Sequence, residues 1–198
     1  MSTIEIKKAI FHKSATDPSQ FPNYPYPEFA FFGRSNTGKS SLINYLLGGK
    51  ALVKTGSRPG HTQTVNFFVV NDNLSIADLP GFGFAKAPAH IREGFMPMLK
   101  KYITERSNLR IGFLLVDSRR EPGEEEIEII RLLTGRKIPT AIVATKADKL
   151  TKNELNKQLQ KISVAFGIDQ SDIFPTSSLK KTGKDQILAL LSENAHRI

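Results

Sequence analysis

The chain has 198 residues, a length that suits one domain, or one domain with a small extension, and allows a full core without disulfides. Apolar residues make up 39% and charged residues 24%, as in ordinary globular proteins. The absence of cysteine excludes disulfide partners, thiolate zinc sites, a catalytic cysteine and cysteine-linked lipids. The formal net charge of +9 favours a polyanionic partner, above all nucleic acid.

No segment predicts a membrane or secreted protein. No run approaches the roughly 18 apolar residues of a membrane span, and the first residues, MSTIEIKKAIFHK, lack the pattern of a secretory signal. Ser2 stands where a myristoylated chain has glycine, and the last residues, ENAHRI, contain no lipidation site. We therefore expect a cytoplasmic protein with no membrane partner.

Strand-like and helix-like segments alternate after a proline-rich start. Four prolines make 16–27 an extended connector without a helix. Strands are predicted at 4–12, 28–32, 65–70, 74–77, 109–116, 138–144 and 173–176. Helices are predicted at 39–47, 90–104 (with Pro97 inside), 122–135, 151–167 and 182–195.

This alternation predicts an α/β fold. Continuous apolar runs such as 109–116 are typical of strands buried on both faces. Strands of this kind separated by helices favour a mostly parallel central sheet with helices on both faces. A polar turn at 71–73 predicts a hairpin over 65–77, which adds one antiparallel edge strand. Ligands of such sheets bind at the carboxyl ends of the strands.

The loop after the strand at 28–32 has the pattern of a phosphate-binding loop. Residues 33–40 read GRSNTGKS and match G-x-x-x-x-G-K-[ST] between a strand and a helix. Lys39 is expected to reach the β- and γ-phosphates, and the Ser40 hydroxyl to bind Mg²⁺. The predicted phosphate contacts are Gly33, Arg34, Ser35, Asn36, Thr37, Gly38, Lys39, Ser40 and Ser41.

A second candidate follows the strand at 74–77, in the sequence Asp78-Leu79-Pro80-Gly81. An acidic residue at a strand end can hold Mg²⁺ through water, and the Gly81 N–H can reach the γ-phosphate. The alternative is a plain Asp-x-Pro-Gly turn. Because the segment follows a phosphate loop and a hairpin, we favour the nucleotide role.

A third candidate follows the strand at 138–144. The Asp148 carboxylate can accept two hydrogen bonds from guanine, which adenine cannot supply, and the Lys146 stem can lie across the base. In isolation, a solvated lysine and a turn aspartate explain the same residues. The segment after the last strand is either a base contact or a capping turn. The predicted base contacts are Thr145, Lys146, Ala147, Asp148, Thr176, Ser177 and Ser178.

The order of these motifs resembles a known class. GRSNTGKS, PGHTQT, DLPG, TKAD and TSS follow the order of the five nucleotide motifs of Ras-like translation-factor GTPases. FFGRSNTGKSSLIN, SRPGHTQTVNFF, DLPGFGFAKAP and TKADKL resemble, more closely, the EngB (YihA/YsxC) family within the TrmE-Era-EngA-EngB-Septin-like class. The resemblance implies a Ras-like P-loop GTPase fold over 25–195, preceded by an N-terminal strand and connector at 1–24.

For function, the resemblance implies an enzyme that hydrolyses GTP to GDP and phosphate with Mg²⁺, and we expect the protein to be a monomer. The resemblance also implies a switch in assembly of the large ribosomal subunit, with ribosomal RNA and proteins as partners, needed for cell division and septation. The alternative is a protein-binding switch on the division machinery, with incidental hydrolysis. The sequence TKAD disfavours an ATP-using kinase, and the unlipidated C-terminus disfavours a membrane-tethered signalling GTPase.

The same resemblance carries roles to single residues. Thr62 is implied as the threonine that joins Ser40 and, through water, Asp78 at Mg²⁺. Nucleotide contacts are also implied for Gly60, His61, Thr62, Gln63 and Thr64. Asn36 corresponds to an asparagine that helps to hold K⁺ in related GTPases, although a backbone contact explains it equally well. The predicted catalytic residues are Asn36, Lys39, Thr62 and Gly81.

Phe82 stands where Ras-like enzymes have the glutamine that orients water, so we expect slow intrinsic hydrolysis. The segment Gly81-Phe82-Gly83-Phe84 has two interpretations: its aromatic rings fill the core, or its glycines let it rearrange when the γ-phosphate leaves. We favour the rearrangement, because Gly81 is expected to move.

Overall fold

The computed structural model describes residues 3–48, 52, 64–83 and 89–195, with the backbone alone for 89–93. The strands are β1 (Ala9–Ala15), β2 (Glu28–Gly33), β3 (Val65–Val70), β4 (Leu74–Asp78), β5 (Leu109–Asp117), β6 (Thr140–Thr145) and β7 (Ile173–Pro175). The helices are α1 (Lys39–Leu46), α2 (Ala89–Glu105), α3 (Glu124–Gly135), α4 (Lys152–Phe166) and α5 (Lys184–Ala195). None of the helices in these described ranges is both long and apolar enough to cross a membrane.

The described strands form one sheet in the order β1-β3-β4-β2-β5-β6-β7. Neighbours from β4 to β7 pair in parallel, whereas β3 runs antiparallel to both β1 and β4. The predicted fold class is therefore confirmed. One detail differs from the prediction of an antiparallel strand at the edge of the sheet. The antiparallel strand is β3, and because β1 pairs along its outer side, β3 lies one place in from the edge.

The N-terminal segment departs from its predicted boundaries. Its strand spans Ala9–Ala15 rather than 4–12, because its pairing partner is Val65–Val70. The connector contains a 3-10 turn at Pro18–Gln20, so the prediction that it has no helix is wrong there. Proline suits the start of this turn, because its φ is already fixed near the helical value and the position needs no N–H donor. The Asp17 side chain caps the turn by accepting a hydrogen bond from the Ser19 N–H at 2.8 Å.

Side chains alternate across the central strands and build a core on each face. Phe31 stacks on Phe113 with ring centroids 4.8 Å apart, in the core beneath α1 and α5. Phe32 points to the other face and meets Tyr102 of α2 edge-on, in the core shared with α3 and α4. Helices thus cover both faces, and the loops at the carboxyl ends of the strands remain at one edge of the sheet.

A buried ion pair joins the connector to this core. Glu28, at the start of β2, is fully buried and accepts hydrogen bonds from Tyr102 Oη at 2.7 Å and from Arg106 Nη2 at 2.6 Å. Arg106 Nη1 also donates to the Pro22 carbonyl at 2.9 Å. Burial and the neighbouring Glu28 carboxylate raise the pKa of the Tyr102 phenol well above its usual value. Arg106 therefore holds the connector against the sheet.

Candidate nucleotide site

The loop between β2 and α1 has two residues with positive φ and a close approach that favours glycine. Gly38, the residue before α1, has φ +93°, and Asn36 has φ +65°. A Cβ on Gly33 would lie 2.9 Å from Thr37 Oγ1 and 3.1 Å from Leu115 Cβ. Gly38 has no side chain that could cap α1, and the N–H groups of the first turn lie at the positive end of the helix dipole, where an anion can bind.

Two charged side chains from different motifs meet beside this loop. Lys39 begins α1, Asp78 ends β4, and their ammonium and carboxylate groups form an ion pair. Lys39 is 8% exposed and Asp78 is 3% exposed. The parallel pairing of Phe31 with Asp78 sets this position, because it aligns the ends of β2 and β4. The structure thus brings together the predicted phosphate lysine and the predicted Mg²⁺ aspartate.

The segment after β4 also contacts the phosphate loop. The Ser35 N–H donates to the Phe82 carbonyl at 2.8 Å, and Ser35 Oγ donates to the Gly81 carbonyl at 3.3 Å. A Cβ on Gly81 would lie 3.0 to 3.1 Å from three Ser35 atoms. Gly81 therefore lies against the loop predicted to hold the phosphates.

Phe82 itself packs in the core, where it is 3% exposed and its ring centroid lies 5.6 Å from that of Phe95. This packing matches the core-filling interpretation for Phe82. The favoured rearrangement of the segment stays a prediction, and Phe84 lies outside the described residues.

Arg34 occupies a predicted phosphate position, but its side chain turns away from the loop. Its Nη1 lies 3.3 Å from Glu125 Oε2 and 3.5 Å from Glu126 Oε2, at the start of α3. The Arg34 carbonyl instead accepts the Thr37 hydroxyl at 2.8 Å. Arg34 therefore contributes backbone to the loop, while its guanidinium joins the loop to α3.

The predicted base residues converge from two loops. Ser177 Oγ donates to Asp148 Oδ1 at 2.5 Å, and the Ala147 N–H donates to the Thr176 carbonyl at 3.1 Å. The Ser177 hydrogen bond holds the pKa of the Asp148 carboxyl below its usual value. Thr145 Oγ1 donates to the Thr37 carbonyl at 2.6 Å and so links the base loops to the phosphate loop.

The loop after β7 is shaped by close backbone packing. Ser177 and Thr182 form an isolated antiparallel bridge, and Ser177 Oγ also accepts the Lys180 N–H at 3.0 Å. Gly183 has φ +81°, and a Cβ there would lie 2.5 Å from the Pro175 carbonyl oxygen. Ser177 therefore stabilises its own loop, in agreement with the turn interpretation, and it also contacts Asp148; a contact of this loop with the base stays a prediction.

Asp117 is a site residue that the sequence analysis missed. It ends β5, and its Oδ2 accepts a hydrogen bond from Lys146 Nζ at 2.9 Å. Burial alone would raise its pKa, but hydrogen bonds from Arg119 and Lys146 outweigh burial and lower it below its usual range. The sequence does carry a signal for Asp117: it is a charged residue at the end of a long apolar strand, beside the predicted site.

The remaining predicted residues divide into described and undescribed ones. Gly60, His61, Thr62 and Gln63 lie outside the described residues, and Thr64 directly precedes β3. Ser40 is half-buried in the first turn of α1, whereas Ser41 and Asn36 are exposed. A hydroxyl, a buried carboxylate and phosphate oxygens are the hard oxygen ligands that Mg²⁺ prefers, so the Ser40 and Asp78 donors fit this ion.

Comparison with known proteins agrees with this arrangement. The model of the 50S ribosome-binding GTPase family matches residues 28–146. The probable GTP-binding protein EngB of Desulforapulum autotrophicum is 48% identical over 92% of this chain and 94% of its own length. Its counterpart in Syntrophotalea carbinolica is 46% identical over 95% of this chain and 91% of its own length.

A solved structure supports the same assignment. The crystal structure of a probable GTP-binding protein EngB superposes with a TM-score of 0.71 at 26% identity. The match covers 85% of this chain and 98% of that one. The chain therefore belongs to the 50S ribosome-binding GTPase family and, within it, to the EngB group of GTP-binding proteins.

Proposed function

We propose that this protein is a Mg²⁺-dependent GTPase that acts as a nucleotide switch in assembly of the large ribosomal subunit. The observation that carries the proposal is the convergence of three motifs at one edge of the sheet. The Lys39–Asp78 ion pair lies beside the phosphate loop, and Thr145 links that loop to the segment that ends in Asp148. A triphosphate and a guanine base can therefore be held by adjoining loops.

At the phosphate end, the N–H groups of the loop and of the first turn of α1 bind the phosphate oxygens, and Lys39 contacts the β- and γ-phosphates. Ser40, Thr62 and, through water, Asp78 would hold Mg²⁺. When bound, the ion supplies positive charge that stabilises the transferred phosphoryl group. Gly81 lies against Ser35 of the phosphate loop, and we propose that its N–H binds the γ-phosphate.

Hydrolysis by the isolated protein is slow in this proposal. Phe82 replaces the water-orienting glutamine, and its ring is packed against Phe95. Another group must therefore orient the attacking water. Asn36 is exposed in the phosphate loop, and we propose that its side chain helps to hold K⁺, which would add charge stabilisation at the phosphates.

The ribosomal role rests on the family description and on charge. The matching family is described as 50S ribosome-binding, and a net charge of +9 suits a surface made of RNA phosphates. We further propose that the protein acts as a monomer. We also propose that the cell requires it for division and septation because it takes part in ribosome assembly.

Sedimentation with purified ribosomal subunits tests the proposal. We expect the protein to sediment with the 50S subunit in the presence of a non-hydrolysable GTP analogue, and much less with GDP. Binding should weaken steeply with salt, because phosphate contacts release counterions. Lys39→Ala is the control that should lose the dependence on nucleotide. Equal sedimentation with the GTP analogue and with GDP, or equal binding to both ribosomal subunits, would contradict the proposal that the protein is a nucleotide switch on the large subunit.

A further inference from the structure

The end of β5 carries a carboxylate that lies outside the phosphate and base motifs. The Asp117 side chain is only 7% exposed. Its Oδ2 accepts from Lys146 Nζ at 2.9 Å and from Arg119 Nη2 at 2.7 Å. Its Oδ1 accepts from Arg119 Nε at 2.9 Å and from the Arg119 backbone N–H at 3.1 Å. Both carboxylate oxygens are therefore fixed in place.

The lysine held by this carboxylate belongs to the predicted base site. Besides Asp117, Lys146 Nζ donates to the Asn36 carbonyl at 2.5 Å. A Cβ on Gly38 would lie 3.9 Å from Lys146 Cε, so the stem passes over the phosphate loop. The ammonium group is thus anchored between the end of β5 and the phosphate loop.

Anchoring the ammonium has a consequence for the stem. A free lysine side chain samples many rotamers, and ordering it when a ligand binds costs free energy. Within the described part of the chain, Asp117 is the one carboxylate that pairs with Lys146. The Asn36 carbonyl alone supplies no compensating charge. The Asp117 carboxylate is therefore the group that keeps the stem in one position.

We propose that Asp117 is a positioning residue for the guanine base: it holds the Lys146 ammonium so that the lysine stem forms one wall of the base site before the nucleotide binds. Arg119 in turn fixes the carboxylate from the opposite side. This inference rests on the proposed base site at Lys146 and Asp148.

A double-mutant cycle on GDP affinity tests the proposal. Asp117→Asn removes the charge, and Lys146→Met keeps an unbranched apolar stem but removes the ammonium. We expect Asp117→Asn to weaken GDP binding by about threefold to tenfold in the wild-type background. In the Lys146→Met background the same substitution should change affinity by less than about twofold. Equal losses in both backgrounds, or no loss in either, would overturn the proposal.

Matched variants separate this effect from damage to the fold. Arg119→Gln leaves the Lys146–Asp117 pair in place but removes the side-chain hydrogen bonds that hold the carboxylate from the other side, so it should weaken GDP binding by less than Asp117→Asn does. A loss as large as that of Asp117→Asn would overturn the assignment to Lys146. Asp117→Glu keeps the charge but displaces it by one methylene. If Asp117→Asn does not fold, Asp117→Glu takes its place in the same double-mutant cycle.

The same titrations distinguish this inference from the proposed base site. A wild-type protein that binds ADP as well as GDP would refute the guanine site itself. A wild-type protein that prefers GDP, combined with additive effects of the two substitutions, would overturn only the role of Asp117.

Discussion

Gly183 supports the loop that contacts Asp148, and its replacement is a sharp test of that arrangement. Gly183 has φ +81°, and an alanine Cβ would lie 2.5 Å from the Pro175 carbonyl oxygen and 2.7 Å from Thr176 Cγ2. Left-handed backbone costs a non-glycine residue about 1–2 kcal/mol. Overpacking adds about 1–3 kcal/mol. Gly183→Ala should therefore lower the free energy of unfolding by about 2–5 kcal/mol.

The chain offers a matched control in Gly167, the residue that directly follows α4. It has φ +66°, but an alanine Cβ at this position would have nothing within 4 Å. Gly167→Ala should therefore cost only the backbone contribution of about 1–2 kcal/mol. Urea unfolding of both variants and of the wild type measures the difference.

Nucleotide affinity separates the two variants further. Gly183→Ala should weaken GDP binding, because Thr176 and Ser177 are displaced from the loop that carries Asp148. Gly167→Ala should leave it unchanged, because Gly167 lies at the far end of α4. Equal destabilisation of the two variants would refute the backbone collision at Gly183. Normal GDP affinity in Gly183→Ala would refute the contribution of this loop to the base site.

Three further outcomes are expected. Arg106→Met should lower the free energy of unfolding by about 3–5 kcal/mol, because it leaves the buried Glu28 carboxylate without its cation. Arg131 pairs with Glu128 at the surface, so Arg131→Met should change the free energy of unfolding by less than about 1 kcal/mol in the same urea titration. The pKa of Asp117 is lower in the folded state than its unfolded value of about 3.9, so the ionised carboxylate stabilises the fold above that pH and this contribution is lost as the pH falls. Asp117→Asn should therefore reduce the fall in thermal stability below about pH 4. The same fall in the variant as in the wild type would contradict this. Replacing K⁺ by Na⁺ at constant ionic strength should slow phosphate release, and equal rates would exclude a K⁺ role for Asn36.

Local patterns predict the elements and the phosphate loop because each depends on nearby residues. The loop sequence at 33–40 needs glycine at Gly38 for its left-handed backbone, and the capping box of Thr151 and Glu154 starts α4 at the predicted place. The hairpin at 65–78 forms because Asn71 and Asp72 both adopt positive φ, as a tight turn between two strands requires.

The features that the sequence did not reveal depend on distant partners. The position of β1 is set by pairing with β3, far along the chain, and by the Asn71 side chain, which accepts the N–H groups of Lys7 and Lys8. Periodicity within 4–12 carries no information about these contacts. The predicted N-terminal strand therefore begins before the observed strand, which starts at Ala9.

Side-chain directions in the site are hidden from the sequence for the same reason. The pattern that identifies the phosphate loop does not specify Arg34, whose guanidinium is drawn to the acidic start of α3. Asp117 and Lys146 are 29 positions apart, and only the parallel pairing of β5 with β6 brings the ends of their strands together. Motif spacing thus locates the site, but tertiary contacts determine which side chains hold it together.

The base preference of Asp148→Asn tests the central claim most directly. A carboxylate complements the two adjacent donors of guanine, whereas an asparagine, with one acceptor and one donor, matches xanthine. Competition binding of GTP, XTP and ATP to both proteins measures the preference. The wild type should prefer GTP, and the variant should lose about 1–3 kcal/mol of GTP binding, at least several-fold in affinity, while gaining XTP binding. A variant that keeps its GTP preference, or a wild type that prefers ATP, would contradict the assignment of Asp148 as the guanine reader.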